Sequence, residues 1–358
     1  MLLRSLAPGG AEKQALLLTR LLGEDHDVRL VVLDREPRSS RHLRFLGEHG
    51  LEPLFLPDGT VAKARALWSH LRRERVEVLF TFLPSDTVLG AVVGRLAGVP
   101  RVYGGLRNSR LTPRKERFLR LVHDRLVTAT VSNSRSAVEH FTARGFAAGR
   151  FRVIRNGIDA GPPPQRERSG SVVRLLSVGR FVPEKDHRLL LEAVRVLLDD
   201  GVAPEALRLV LVGSGPLEGQ IRGRVRELGL ESVVELVIDP PSVEAHFRAA
   251  DVYLSASWYE GVSNSIQEAL RAGLPVVATD VGDNDALVEE GVNGFLVPKG
   301  DRELLVECLR RLVEDAGRRE AFGTAGRALL ERGFSLERLR DDYVALLAEG
   351  SNQRSEGR

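Results

Sequence analysis

Cysteine is nearly absent: with one in 358 residues no internal disulfide can form, and nothing calls for an oxidising compartment. No apolar run approaches the roughly 20 residues that span a bilayer. The stretch from Met1 to Gly10 is too short for a secretion signal ahead of its glycine pair. Aromatic residues are only 5%, and 35 glycines with 17 prolines exclude collagen-like and low-complexity chains. No internal repeat is visible. What is present, 43% hydrophobic and 28% charged residues, describes a globular chain, expected to be cytoplasmic. At about 100–200 residues per domain, the length suggests two domains.

Lysine is scarce as well, 5 residues against 47 arginines, and the formal net charge of +3 conceals a polarity. Through Ala160 there are 27 basic against 16 acidic residues, a balance of +11; from Gly161 onward there are 25 against 33, a balance of −8. Two readings stand: the basic half faces an anionic surface or substrate, or composition drifts in an arginine-rich chain. The seam between the halves is Gly161–Ser171, which has no apolar side chain beyond proline and reads as a linker.

Each half alternates short β-rich runs with amphipathic stretches. In the first half, strands are expected over 28–33, 78–82, 101–103, 126–131 and 152–154, and helices over 12–22, 62–73, 85–97 and 113–121. In the second, strands are expected over 174–178, 207–212, 233–237, 252–255 and 275–279. Helices there are expected over 189–198, 217–228, 242–249, 265–271 and 301–312. Such alternation argues for parallel sheets covered by helices, twice over. The fold class is therefore α/β, two Rossmann-like doubly wound domains in tandem, with a ligand cleft expected at the carboxyl ends of the strands.

Four segments carry chemistry. Pro8-Gly9-Gly10-Ala11-Glu12 follows a short apolar strand and opens a helix, so paired glycines let backbone amides approach a phosphate or a sugar hydroxyl. A tight strand–helix turn explains the same residues. Gly213-Ser214-Gly215-Pro216 has a dinucleotide flavour, but its third glycine, Gly219, comes one residue late, and a packed turn is the better reading. In Gly179–Asp186, Arg180 and Lys185 follow the first strand of the second domain. Arginine's planar fork and lysine's point charge suit a diphosphate; a solvated loop with Glu184 and Asp186 as partners is the alternative.

The most specific segment is Ser257–Leu270. A helix capped by Ser263 or Asn264 offers free amides at Gly261, Val262, Ser263 and Asn264. Glu260 stands before the cap and Glu268 within the helix. Phosphates on amides, a ribose on one glutamate and a hexose on the other would accommodate a nucleotide sugar, whereas an ordinary acidic helix start requires only the first of the two acids. A basic helix beginning at Thr112-Pro113 carries Arg114, Lys115, Arg117, Arg120 and Arg125 among Phe118, Leu119, Leu121, Val122 and Leu126. It reads as a surface for anionic lipid or as a core-packed helix with a solvated basic face. His123 within it is expected on the helix surface.

Over nearly its whole length the chain resembles the family 4 glycosyltransferases of the GT-B fold. The matching segments are Pro8–Glu12, Asn133-Ser134, Val153–Asp159, Val178–Lys185, Leu211–Pro216, Glu260–Glu268 and Glu290–Val297. The resemblance implies an acceptor domain over 1–160, a linker over 161–171 and a nucleotide-sugar domain over 172–334. A C-terminal helix over 335–350 would cross back, and 351–358 would be a disordered tail. It implies a retaining, metal-independent hexosyltransferase with no cofactor, using a nucleoside-diphosphate sugar, UDP favoured. Arg180 and Lys185 would hold the diphosphate, Glu268 the ribose and Glu260 the transferred sugar. Gly9 and Gly10 would close the site, with Arg107, Asn108 and Asn156 completing the substrate contacts.

Where many relatives carry a histidine, Tyr103–Asn108 has Arg107-Asn108, and Ala286 stands where the family has glutamate. These departures keep open a catalytically silent protein that binds a nucleotide sugar or supports a partner, while an oxidoreductase resting on Gly213–Gly219 has little behind it. The acceptor class expected is a glycan, glycolipid or lipid-linked intermediate in polysaccharide assembly, with no nucleic acid involved. Docking of the basic half would place the protein at the inner face of the membrane.

Overall fold

The computed structural model describes residues 1–107, 111–162, 170 and 172–352, with only the backbone of 350–352. The chain divides into two compact units, Met1–Gly157 together with the segment from Leu336, and Ile158–Ser335. The change of unit falls at a single peptide. Gln14 pins Gly157 from both sides, donating to its carbonyl at 2.7 Å and accepting from its amide at 2.9 Å. The next residue, Ile158, is buried in the second core and donates its amide to Phe334 at 2.8 Å.

In the first unit the elements are β1 (Leu2–Leu3), α1 (Gly10–Leu22), β2 (Val31–Val32), α2 (Ser40–Glu48), β3 (Leu54–Phe55), α3 (Thr60–Arg73) and β4 (Val78–Phe80). They continue as α4 (Pro84–Leu96), β5 (Arg101–Leu106), α5 (Pro113–Arg125), β6 (Ala129–Ser132), α6 (Arg135–Thr142) and β7 (Phe151–Val153). All pairings are parallel, in the orders β1-β2-β3 and β4-β5-β6-β7, and a parallel bridge from Leu2 to Thr81 links the two. The order thus reverses between β1 and β4.

The second unit holds β8 (Val173–Val178), α7 (His187–Asp199), β9 (Leu207–Gly213), α8 (Glu218–Glu227), β10 (Val234–Ile238), α9 (Glu244–Ala249) and β11 (Val252–Ser255). After these come α10 (Asn264–Arg271), β12 (Val276–Thr279), β13 (Gly294–Val297), α11 (Arg302–Glu314) and α12 (Ala316–Gly333). Its six parallel strands run β10-β9-β8-β11-β12-β13. β11 and β12 are buried along their whole length, as strands covered by helices on both faces must be. Side-chain caps start four of its helices, α7, α10, α11 and α12: Asp186, Ser263, Asp301 and Asp315 accept from the amides of Leu189, Ile266, Leu304 and Arg318.

α13 (Leu336–Asn352) returns to the first unit. Leu339, Tyr343 and Leu346 enter its core, and Tyr103 donates its hydroxyl to the Leu346 carbonyl at 3.2 Å. The helix extends through Asn352, two residues into the stretch expected to be a disordered tail. Of the linker expected over 161–171, only Gly161, Pro162 and Gly170 are among the described residues. No helix among the described residues is long and apolar enough to cross a membrane.

Candidate functional site

Ligands of doubly wound sheets bind beyond the carboxyl ends of the strands where the order reverses. In the second unit that point lies between β8 and β11, and the loops after both strands meet there. Lys185 donates its ammonium to Glu260 Oε1, and Ser257 Oγ donates to the same oxygen at 2.8 Å. The Trp258 amide donates to the Glu184 carbonyl at 2.8 Å, and Trp258 Nε1 to Asp186 Oδ2 at 2.8 Å. Neither acidic neighbour pairs with Lys185 as the solvated-loop reading supposed. Asp186 instead caps α7 and Glu184 supplies a carbonyl. Arg180 is exposed, and its guanidinium has no hydrogen-bond or ion-pair partner among the described residues.

Two close backbone approaches hold these loops in place. A Cβ on Gly213 would lie 1.9 Å from the Gly179 carbonyl oxygen, while Phe181 donates its amide to Ser214 at 2.7 Å. The glycine turn after β9 is therefore a buttress beneath the Arg180 loop, as its packed-turn reading supposed. Pro216 precedes α8 by two residues instead of opening it. Gly282, at φ +63°, has room for no side chain: a Cβ there would lie 2.2 Å from the Glu260 carbonyl oxygen. The turn after β12 thereby packs on Glu260–Gly261, with the Asp283 amide donating to Gly261 at 3.2 Å.

Ser263 is the cap of α10, and Asn264 is its first helical residue, so the amides of 261–264 form the positive end of that helix beside Lys185. Val262 and Ser263 are buried, whereas Gly261, Asn264 and Glu268 are half-buried. Burial drives the Tyr253 hydroxyl pKa upward, and the Glu260 and Glu268 carboxylates push it further, so the charge of both acids reaches that hydroxyl. His187, next to the Asp186 cap, is buried against the edge of Phe181 at 5.0 Å between ring centres. Desolvation, with Lys185 adding repulsion, lowers its pKa to about 4, so the imidazole is neutral.

The first unit gathers a different set. Gly9 is the N-cap of α1 and Gly10 its first residue, with Glu12 buried in the first turn. Arg107, after β5, donates to Asn156 Oδ1, bonds the Tyr343 hydroxyl and lies 5.4 Å over the Phe82 ring. Burial lowers the guanidinium pKa, and burial raises that of Glu12, which Arg107 partly offsets. Two residues predicted from the sequence, Arg107 and Asn156, thus meet; Asn108 lies outside the described residues.

Asp86, in the first turn of α4, was not singled out in the sequence because an acid there is ordinary helix chemistry. It is fully buried, accepts from Ser85 Oγ at 3.0 Å through Oδ1, and leaves Oδ2 without a partner; burial pushes its pKa up to about 7.

His123 corrects an expectation. It is buried, bonded to Thr130 at 2.7 Å and the Ala147 carbonyl at 3.0 Å, and stacked on Phe151 at 4.3 Å. The period of α5 turns Leu119, Val122 and His123 inward, leaving Phe118 and Leu121 about half exposed among the arginines.

Comparison with known proteins supplies the context for this geometry. Residues 8–161 match the model of Glycosyltransferase Family 4, and residues 173–315 match that of Glycosyl transferases group 1. The chain is 24% identical over 270 residues to a UDP-Gal:alpha-D-GlcNAc-diphosphoundecaprenol alpha-1,3-galactosyltransferase of Escherichia coli, covering 70% of each chain. It is 27% identical over 282 residues to the lipopolysaccharide core biosynthesis glycosyltransferase LpsE of Rhizobium meliloti, covering 77% of each. It spans 49% and 64% of the length of two other relatives. Anabaena HepE, solved in complex with UDP-glucose, shares the fold with a TM-score of 0.84 at 19% identity, over 97% of this chain and 98% of that one.

Proposed function

The chain belongs to the group 1 glycosyltransferases of the GT-B fold, and from that premise we propose that it transfers a hexose from a UDP-sugar to a glycan or lipid-linked acceptor in polysaccharide or glycolipid assembly. The observation that carries this reading is the pairing of Lys185 with Glu260 beside an unpartnered Arg180, at the positive end of α10. An empty diphosphate site needs positive charge that is positioned but uncommitted. Arg180 meets that requirement outright, and Lys185 meets it through a carboxylate that can turn to a sugar hydroxyl once phosphate arrives. That HepE is solved with UDP-glucose favours uridine as the base.

Bond cleavage leaves negative charge on the departing diphosphate. Arg180, Lys185 and the amides of 261–264 offset it, the task a divalent ion performs in other transferases, so the reaction proposed is metal-independent and needs no cofactor. Glu268 accepts from the ribose hydroxyls and Glu260 from the hexose. With the leaving group neutralised, the acceptor oxygen attacks on the face the diphosphate leaves. The anomeric configuration is retained, and no protein nucleophile is required.

A panel of UDP-, GDP-, ADP- and dTDP-sugars tests this by thermal shift and nucleoside-diphosphate release. A donor at 100 times its dissociation constant stabilises the protein by about 2.7 kcal/mol. Stabilisation and slow release with a UDP-sugar are expected; stabilisation with no release, even with acceptor extracts, would favour the silent alternative. A peripheral membrane position is also proposed, through α5. Its exposed Phe118 and Leu121 sit among Arg114, Lys115 and Arg117, which suits an anionic lipid surface. Flotation with anionic vesicles at low salt checks it, and protein left in the pellet would refute it.

A further inference from the structure

In the first unit, Arg4 follows β1 and Asp34 lies two residues beyond β2, and Lys63 stands in the first turn of α3. Lys63 donates its ammonium to Asp34 Oδ1, and Arg4 Nε donates to Asp34 Oδ2 at 3.3 Å. The hydrogen bond from Lys63, followed by its charge and that of Arg4, holds the Asp34 pKa below the usual carboxylate range. Two cations sharing one carboxylate leave one positive charge over. Thr60 and Ser85, in the opening turns of α3 and α4, border the same cavity of about 390 Å³. Their helices, 14 and 13 residues long, point their positive ends into it.

The rest of that cavity is apolar. Leu33, Val88, Leu89 and Val92 line it, the last three from one side of α4. The apolar strip continues past the cavity: Val92 is 38% exposed, and Leu96, one turn further, 70%. Trp68 faces Leu96 from α3, 39% exposed, its Nε1 donating to the Leu96 carbonyl at 3.3 Å. From Ser85 to Leu96 the strip runs roughly 16 Å along the helix. Isolated exposed hydrophobics are ordinary on protein surfaces, but a continuous strip that begins at a positively charged cavity is not.

We propose that the groove between α3 and α4 binds a lipid-linked phosphate. The phosphate or diphosphate lies against Arg4 and Lys63 at the helix ends, and the hydrocarbon chain lies along Val88, Leu89 and Val92 toward Leu96 and Trp68. A purely glycan acceptor would leave this strip in water, and a free anion would leave it unused. The inference rests on the transferase reading and adds the chemical class of the acceptor.

Calorimetric titration of the full chain with farnesyl diphosphate, farnesol and inorganic diphosphate tests it. Farnesyl diphosphate is expected to bind at least tenfold more tightly than either part alone. Lys63→Gln and Val92→Glu should each weaken it about tenfold, with melting temperatures within a few degrees of the parent, since Val92 is already at the surface. Equal affinity for inorganic diphosphate means an anion site without a lipid groove, and unchanged affinity in Val92→Glu places the chain elsewhere; either result overturns the proposal. Donor turnover by the unmutated chain is measured in parallel. Loss of turnover with lipid binding intact sinks the transferase reading alone, and the reverse sinks only the groove.

Discussion

Both units reverse their strand order at one point, β8 against β11 in the second and β1 against β4 in the first, yet the two points are built from opposite chemistry. At the second, Arg180 is exposed and Lys185 shares a half-buried carboxylate, so the backbone turns present positive charge to solvent. At the first, Glu12 and Asp86 are buried carboxylates with raised pKa values, and Arg107, whose charge acts on Glu12, is itself desolvated. Topology therefore fixes where a ligand can sit, while the few residues at the strand ends decide its charge. One point is suited to a diphosphate in water. The other holds carboxylates out of water.

The largest effect should come from removing the charge at the second point. Arg180→Ala is expected to lower donor turnover by two to three orders of magnitude, the range for deleting one positioned donor to a developing anion. Because Arg180 is exposed and unpartnered, its loss should leave thermal stability unchanged; a melting shift as large as the kinetic effect would assign it a structural role instead.

The second prediction concerns Asp86. Folded, it keeps a proton up to about pH 7; unfolded, it releases one near the ordinary aspartate value of 3.8. The folded state thus holds the extra proton across that window, and stability falls as pH rises through it, by about 4 kcal/mol in all. Asp86→Asn should remove that fall, seen as a higher melting temperature at pH 8 and little change at pH 4.

His187 should show the opposite sign at slightly smaller size. The unfolded ring takes its proton near 6.5 and the folded ring only near 4, so stability falls as pH drops through that window, by about 3 kcal/mol. In the parent chain the two responses oppose one another. Asp86→Asn should expose the acid-side loss, and His187→Phe the alkaline-side loss. Identical pH profiles in both variants would erase the contrast between the two units. The smallest effect is expected from Glu268→Ala, about tenfold weaker UDP binding with little change in turnover at saturating donor.

Much of this organisation was legible in the sequence. β11 runs over the residues expected, because a fully buried strand is an unbroken apolar run with sharp ends. α2 was not predicted: only His42 and Leu46 of its nine residues are buried, too few for a helical period to register. α12 escaped for a related reason, its four glycines and polar residues giving almost no amphipathic face. β13 was hidden by Gly294, which stands where a Cβ would lie 2.1 Å from the Val276 carbonyl oxygen.

In the site, the motif residues of the second unit could be named from their places after the strands together with the family resemblance, but their partnerships could not. Lys185 meets Glu260 across 75 positions of sequence. Burial was equally invisible for Asp86 and His123, since a first-turn acid and a histidine among arginines look the same whether the helix face points in or out.

The most direct test of the account is calorimetric titration and melting with UDP for the parent chain and for Arg180→Ala/Lys185→Ala. The account predicts at least a hundredfold loss of affinity in the double variant. In the parent, UDP should raise the melting temperature, and in the double variant the same UDP concentration should leave it unchanged. Unchanged UDP affinity in the double variant would contradict it.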